Sequence, residues 1–265
     1  EPEVNYAEWR KKWIELTPEK KAEIKKTVSS NSNEATFEIV IRSENTPISI
    51  LEKTINSLIA QLYPNWILLI VVEKVVPEDL RSLLNNLGDS RIKIVKDFSN
   101  ISGDWISEIN PGDLLHEASL YVLQDAFSRN PETLLIYTDH DHINEDQQFV
   151  DPYFKPDWNE DLLLNTDYFR SLVTYHNSIW SKVFEPSLNR HDLAIKATKL
   201  IEANEIFHIP FVLTSIKTKG DNSHLTPQIS KVIHRSPEPL PLVSVLIPTK
   251  DKGSMLQRCI NTLQS

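Results

Sequence analysis

The chain has 265 residues, 40% of them hydrophobic and a quarter charged, enough for one large domain or two small ones with a sizeable buried core. Its formal net charge of −9 argues against a nucleic-acid partner, because phosphate-backbone binders concentrate Lys and Arg, and against direct docking on anionic lipid. No apolar run of about 18 residues is present to span a bilayer, and the first residues lack a signal-peptide pattern. The single cysteine, Cys259, can form no internal disulfide, and these features together point to a soluble, cytoplasmic chain.

In chain order, residues 6–30 read as a leader of two helices. Trp9, Trp13 and Leu16 recur at helical spacing, and Thr17 followed by Pro18 restarts the chain as N-cap and first helical residue. Residues 31–34 form a polar linker. From Phe37 the pattern alternates between strands and helices: strands at 37–41, 66–72, 92–95, 105–109 and 134–137, with helices at 50–62, 77–87 and 114–127. Helices near 178–183 and 191–203 follow, then a strand at 206–213. Such alternation predicts an α/β fold with a mostly parallel, Rossmann-like sheet flanked by helices, whose ligands bind at the carboxyl ends of the strands. That directs attention to Glu73, to 110–113 and to 139–141.

Residues 236–241, Ser-Pro-Glu-Pro-Leu-Pro, read as a semi-rigid linker. Beyond them, 244–263 align with 38–58 with one gap, over roughly two dozen residues, so a strand-loop-helix unit occurs twice. The expected layout is a leader at 1–34, a first domain at 35–235, a linker at 236–241 and the opening of a second copy at 242–265. The implied partner is that second domain on the same polypeptide.

Several stretches resemble family-2 glycosyltransferases of the rhamnosyltransferase and O-antigen type. Leu135-Ile136-Tyr137-Thr138-Asp139-His140-Asp141, then Asp151-Pro152-Tyr153-Phe154-Lys155-Pro156-Asp157-Trp158-Asn159 and Asp161-Leu162-Leu163-Leu164, follow the family's Tyr-Ser-Asp-Glu-Asp and Pro-x-Phe-Lys-Pro-x-Trp-x-x-x-Leu-Leu. Gln61-Leu62-Tyr63-Pro64-Asn65-Trp66 matches its Gln-x-Tyr-Pro-x-Trp, and 208–213 match its late strand. The resemblance implies a GT-A fold, a UDP- or dTDP-sugar donor, a glycan acceptor and Mg2+ or Mn2+ in an active member. It is also compatible with homo-oligomers and with peripheral placement at the inner face of the membrane through a longer protein. A divalent cation held by an Asp-x-Asp pair would neutralise the diphosphate leaving group, and a carboxylate would take the acceptor proton.

The departures fall on those chemical positions. After the second strand only Glu73 can accept from a ribose. The family's Asp-x-Asp-Asp-Leu-Leu becomes Asn110-Pro111-Gly112-Asp113-Leu114-Leu115, leaving Asp113 as the one acidic metal candidate, and the helix that normally precedes this strand is missing where Ser102 runs into Gly103. The base region becomes Asn189-Arg190-His191-Asp192-Leu193, with Arg190 at the base position and His191 or Asp192 as substitutes. Asp139 and Asp141 remain as donor-side candidates on a loop. These losses predict a copy that keeps the fold without the reaction, the second copy retaining Pro248-Thr249 on its first donor loop.

The same residues admit structural readings. Asp113 can cap a helix starting at Leu114, with Glu117 in the capping-box position. Asp139, His140, Asp141 and His142 could ligate a metal in a hydrolase, but alternate residues of a strand face opposite ways, so at most two converge. Trp66, Trp105 and Trp158 suit burial more often than sugar stacking. His208 suits a satisfied core histidine.

Overall fold

The computed structural model describes residues 5–30, 35–43, 46–99, 101–217 and 253–264. The chain divides into two compact units, residues 1–231 and 232–265. In the second unit one helix is described, Gly253–Gln264. The Pro-rich segment, the strand expected at 244–249 and the Pro248-Thr249 pair lie outside the described residues.

The first unit begins with two helices, α1 (Tyr6–Trp13) and α2 (Pro18–Ser30). The α/β part then runs β1 (Phe37–Arg42), α3 (Ile48–Ile59), β2 (Trp66–Val71), α4 (Glu78–Leu87), β3 (Ile92–Val95), β4 (Trp105–Ile109), β5 (Leu114–Leu115) and α5 (Ser119–Arg129). It continues with β6 (Leu135–Ile143), β7 (Phe149–Tyr153), α6 (Glu160–Asn165), β8 (Thr174–His176), α7 (Asn177–Val183), α8 (Arg190–Thr198) and β9 (Ile206–Lys217).

Among the described residues nine strands form one sheet in the order β3-β2-β1-β4-β8-β6-β9-β5, with β7 pairing off β6. The ladders β3-β2-β1-β4 and β6-β9 are parallel, whereas β8, β5 and β7 join antiparallel. β1 is buried on both faces: Phe37, Ile39 and Ile41 pack into one apolar cluster with α3 and α5, and Val40 packs into another with α7 and α8. Double coverage is why β1 and β2 read as near-continuous apolar runs. Trp66 and Trp105 are buried in the first cluster, the packing role expected of them.

Three expectations need correction. The helix expected from Leu114 starts at Ser119, because 114–116 find partners on β9 first. Leu114 and Leu115 pair with Ser215 and Thr214, and the His116 N–H donates to the Leu213 carbonyl at 2.9 Å. The helix's N-cap is Ala118, without a side-chain cap, so Asp113 caps no helix, and Glu117 pairs with Lys21 at 2.7 Å instead of closing a capping box. Third, β6 does not stop at Tyr137. It runs to Ile143 with all nine residues buried, which places Asp139 and Asp141 inside a strand rather than on a loop.

Between β3 and β4 the described residues contain no helix, in line with the shortening read from Ser102-Gly103. Glu38, pointing away from Phe37 and Ile39, accepts from the Ser102 and Gly103 N–H groups, each at 2.7 Å. A buried carboxylate thus satisfies the backbone of the short connection.

Candidate functional site

The strand order reverses at β1, with β2 on one side and β4 on the other. In a parallel sheet this creates a crevice at the carboxyl ends of the two strands. Arg42 ends β1, and Val40 is in register with Glu108, so Arg42 and Glu108 leave the same face of the sheet. Their side chains pair at two points, Nε–Oε1 at 2.8 Å and Nη2–Oε2 at 3.2 Å. Arg42 Nη1 also donates to the Pro186 carbonyl at 2.6 Å. The Phe98 and Phe184 rings lie 4.6 and 6.0 Å from the guanidinium and 4.7 Å from each other. Arg42 therefore fills the strand ends with a closed, charge-matched contact.

Beyond β4 the chain turns sharply through 110–113. Gly112 has φ 97, its N–H donates to Thr54 Oγ1 at 2.8 Å, and a Cβ there would stand 3.1 Å from Ile50 Cγ2. The turn swings Asp113 inward, where its carboxylate accepts from the Asn110 N–H at 3.1 Å. Burial pushes its pKa up to about 6, while the charges of Arg190 and Arg170 and the Asn110 hydrogen bond pull it down. Arg190, the first residue of α8, also has Nη1 3.5 Å from the Glu108 carbonyl.

A divalent cation needs several hard oxygen ligands on one open point. Here Glu108 is occupied by Arg42, Asp113 is turned inward beside two arginines, and Glu73 stands exposed after β2. These residues do not fit Mg2+ or Mn2+. Among the described residues no group of three His, Cys, Asp or Glu side chains is placed to hold a metal.

The Asp139–His142 stretch is divided between two different tasks. Asp139 Oδ1 accepts from the Lys155 N–H at 2.8 Å and meets His208 Nε2 at 2.9 Å. His208 stacks on Tyr137 at 4.7 Å, the satisfied core role expected of it. Lys155 is itself buried, and its ammonium donates to the Thr138 and Phe169 carbonyls. Burial lowers its pKa to about 7, against the pull of Asp139. Asp141 faces the leader, accepting from Tyr6 Oη at 2.8 Å and Arg10 Nε at 2.9 Å. His140 and His142 lie ring to ring at 5.3 Å, and burial holds His140 well below the usual imidazole range. The two aspartates thus serve separate partners and do not converge.

On α8, His191 Nε2 lies 2.6 Å from the Leu163 carbonyl. Asp192 lies in the first turn of its own helix, where the N-cap Asn189 donates Nδ2 to its carboxylate at 2.7 Å. Neither is aimed at Asp113 by any of these contacts. Sequence reasoning did not find the Arg42–Glu108 pair, the Glu38 cradle, the Lys155 anchor or the Arg10–Asp141 pair. Only Lys155 carried a signal, as a lysine between Phe154 and Pro156 in the matched motif.

No family model matches the chain. It is 25% identical to the uncharacterized protein y4gI of Sinorhizobium fredii, an alignment covering 85% of this chain and 31% of that protein. It is 24% identical to the O-antigen biosynthesis protein RfbC of Myxococcus xanthus, over 80% of this chain and 20% of RfbC. The chain therefore spans less than a third of the length of either relative. Among solved structures it is similar to residues 1–349 of TarS from S. aureus, with a TM-score of 0.54 and 12% identity over 69% of this chain and 60% of that one. The same TarS segment in complex with UDP-GlcNAc gives a TM-score of 0.53 at 12% identity, over 71% and 60% of the two chains. At that identity the likeness shows the fold: an α/β GT-A, Rossmann-like sheet flanked by helices.

Proposed function

We propose that the chain is a glycosyltransferase-like domain of a longer protein that moves sugar from a nucleotide-sugar donor to a surface glycan. In this reading the present copy no longer turns over and instead supports a second copy on the same polypeptide. The observation that carries it is Arg42, closed onto Glu108, Pro186 and two phenylalanines at the strand ends where a GT-A donor would enter.

The chemistry of transfer supports the same conclusion. A departing diphosphate needs its charge neutralised, and the carboxylate at the metal position is a buried one with arginines beside it. The acceptor hydroxyl needs a base, and the base position carries Arg190, which cannot take a proton at working pH. The O-antigen biosynthesis role of RfbC and the UDP-GlcNAc complex of TarS favour the donor and glycan classes. No helix among the described residues is long and apolar enough to cross a membrane, and we assign the domain to the cytoplasm, at the inner face of the membrane when the longer protein docks there.

Calorimetric titration of the chain with UDP- and dTDP-sugars, with and without manganese, tests this. The expected result is no metal-dependent binding. Tight metal-dependent binding would overturn the degenerate reading in favour of an active, metal-dependent glycosyltransferase.

A further inference from the structure

A second concavity uses none of the residues of the strand-end crevice. It lies between α1 and β7, has a volume of about 610 Å3, and is lined by Tyr6, Arg10, Glu15, Gln148, Phe149 and Asp151 among others. That is the size of a small-ligand cleft.

Its walls are built rather than incidental. Tyr6, Trp9, Arg10 and Trp13 recur at helical spacing on α1, a stripe of aromatics and one cation where aliphatic residues would be expected. Arg10 is fixed by Asp141 at 2.9 Å and lies 3.5 Å over the Phe149 ring, with its side chain only 10% exposed. Its Nη1 also stands 4.0 Å from Glu15. Tyr6 is locked by its bond to Asp141 and stacks on Trp9 at 5.6 Å, and Trp9 meets Phe154 at 5.4 Å. The aromatic residues that line the groove itself are Tyr6 and Phe149. Asp151 is held at φ 47, a left-handed conformation that a non-glycine residue adopts at a cost, and its carbonyl lies 2.8 Å from His142 Nδ1.

The charge pattern selects the ligand. Arg10 is already matched by Asp141, so the exposed carboxylates of Glu15 and Asp151 leave the groove acidic and unsuited to phosphates or uronates. Carboxylates and amides arranged around aromatic faces suit a neutral polyol, whose hydroxyls donate to acids and whose C–H faces lie on rings. We propose that this groove binds a neutral oligosaccharide, holding the glycan while chemistry occurs elsewhere. The proposal deepens the glycosyltransferase-like reading and rests on it for the choice of sugars in the test.

Saturation-transfer NMR and calorimetry on the whole chain would use neutral oligosaccharides of glucose, mannose, rhamnose and N-acetylglucosamine, with a polyuronate and a sulfated glycan as controls. At least one neutral member should bind and receive saturation from aromatic protons. Gln148→Ala and Glu15→Gln, both at exposed positions that line the groove, should each weaken it by about tenfold, equivalent to one lost hydrogen-bond contact. Absence of neutral binding at millimolar concentration, binding confined to the anionic controls, or binding indifferent to both substitutions would overturn the proposal. The nucleotide-sugar titration reads the strand-end crevice, so either result can fail while the other stands.

Discussion

Asp141 is fully buried in β6, and its charge is matched by Arg10 from a helix 131 residues earlier in the chain. Removing one partner of such a pair strands the other charge in a low-dielectric interior, which costs about 3–5 kcal/mol. Arg10→Leu should therefore lower the unfolding free energy by about 3 kcal/mol in urea denaturation. The double variant Arg10→Leu/Asp141→Leu should recover much of that loss, because no charge then remains unpaired. Equal stability of the single and double variants would show that the unpaired Asp141 charge carries no penalty, and the Asp141→Leu single variant completes the cycle that measures the coupling.

Asp113 makes a pH-dependent contribution of opposite sense to an ordinary ion-paired carboxylate. Its pKa is raised to about 6 in the folded chain by burial, so between pH ~4 and ~6 the native state holds a proton that the unfolded state has released. The stability linked to it is complete below pH ~4 and is lost as pH rises through ~6, up to roughly 3 kcal/mol. Asp113→Asn removes this term while keeping an acceptor for the Asn110 N–H. The variant should gain stability over the parent as pH rises from 4 to 8, read as the difference between their denaturation profiles. Taking the difference matters because His140, held neutral by burial, loses stability as pH falls in the same range. A pH-independent difference would mean that Asp113 is not protonated in the fold.

At the scale of elements, the connection from β3 to β4 is short because Gly103 lets the backbone come close to β1. A Cβ on Gly103 would lie 2.7 Å from Glu38 Cβ and 3.2 Å from the Glu38 nitrogen and the Thr36 carbonyl. Gly103→Ala should cost about 1–3 kcal/mol, since backbone must move, and should disturb the Glu38 cradle. Gly88, the left-handed C-cap of α4 with open space around it, provides the contrast. Gly88→Asn should cost well under about 1 kcal/mol, because Asn tolerates that conformation. Equal costs at the two glycines in urea denaturation would show that close approach is not what requires Gly103. The leader follows the same logic of position. Asn5 caps α1 with a side-chain bond to the Ala7 N–H, and the helix is then fastened through Asp141, which turns Tyr6 and Arg10 toward the sheet while Trp13 stays 58% exposed.

At the scale of the whole molecule, the sheet carries apolar clusters on both faces and extends past its parallel half through antiparallel β8, β7 and β5. The alternating strands and helices of the first half were legible because their burial is set by local periodicity: 37–41, 92–95 and 105–109 each read as a strand. Strands β7 and β8 were not legible. Phe149–Tyr153 contains Pro152, and Thr174–His176 is three residues long, so neither has a period to detect, and each is a strand only because β6 and β4 offer free edges. Leu114–Leu115 became a strand for the same reason, against a good helical pattern.

The amino-acid sequence by itself determined the α/β class, the two opening helices, the order of the main elements and which polar residues the chain carries. It could not determine which of those residues meet. Asp139 and Asp141 are two positions apart, yet one serves Lys155 and His208 and the other Arg10 and Tyr6. Arg42 and Glu108, 66 residues apart, close on each other at the strand ends. Periodicity reports which side of an element is buried, a local property of the chain. Charge pairing between distant segments depends on strand order and register, and only the folded sheet sets those.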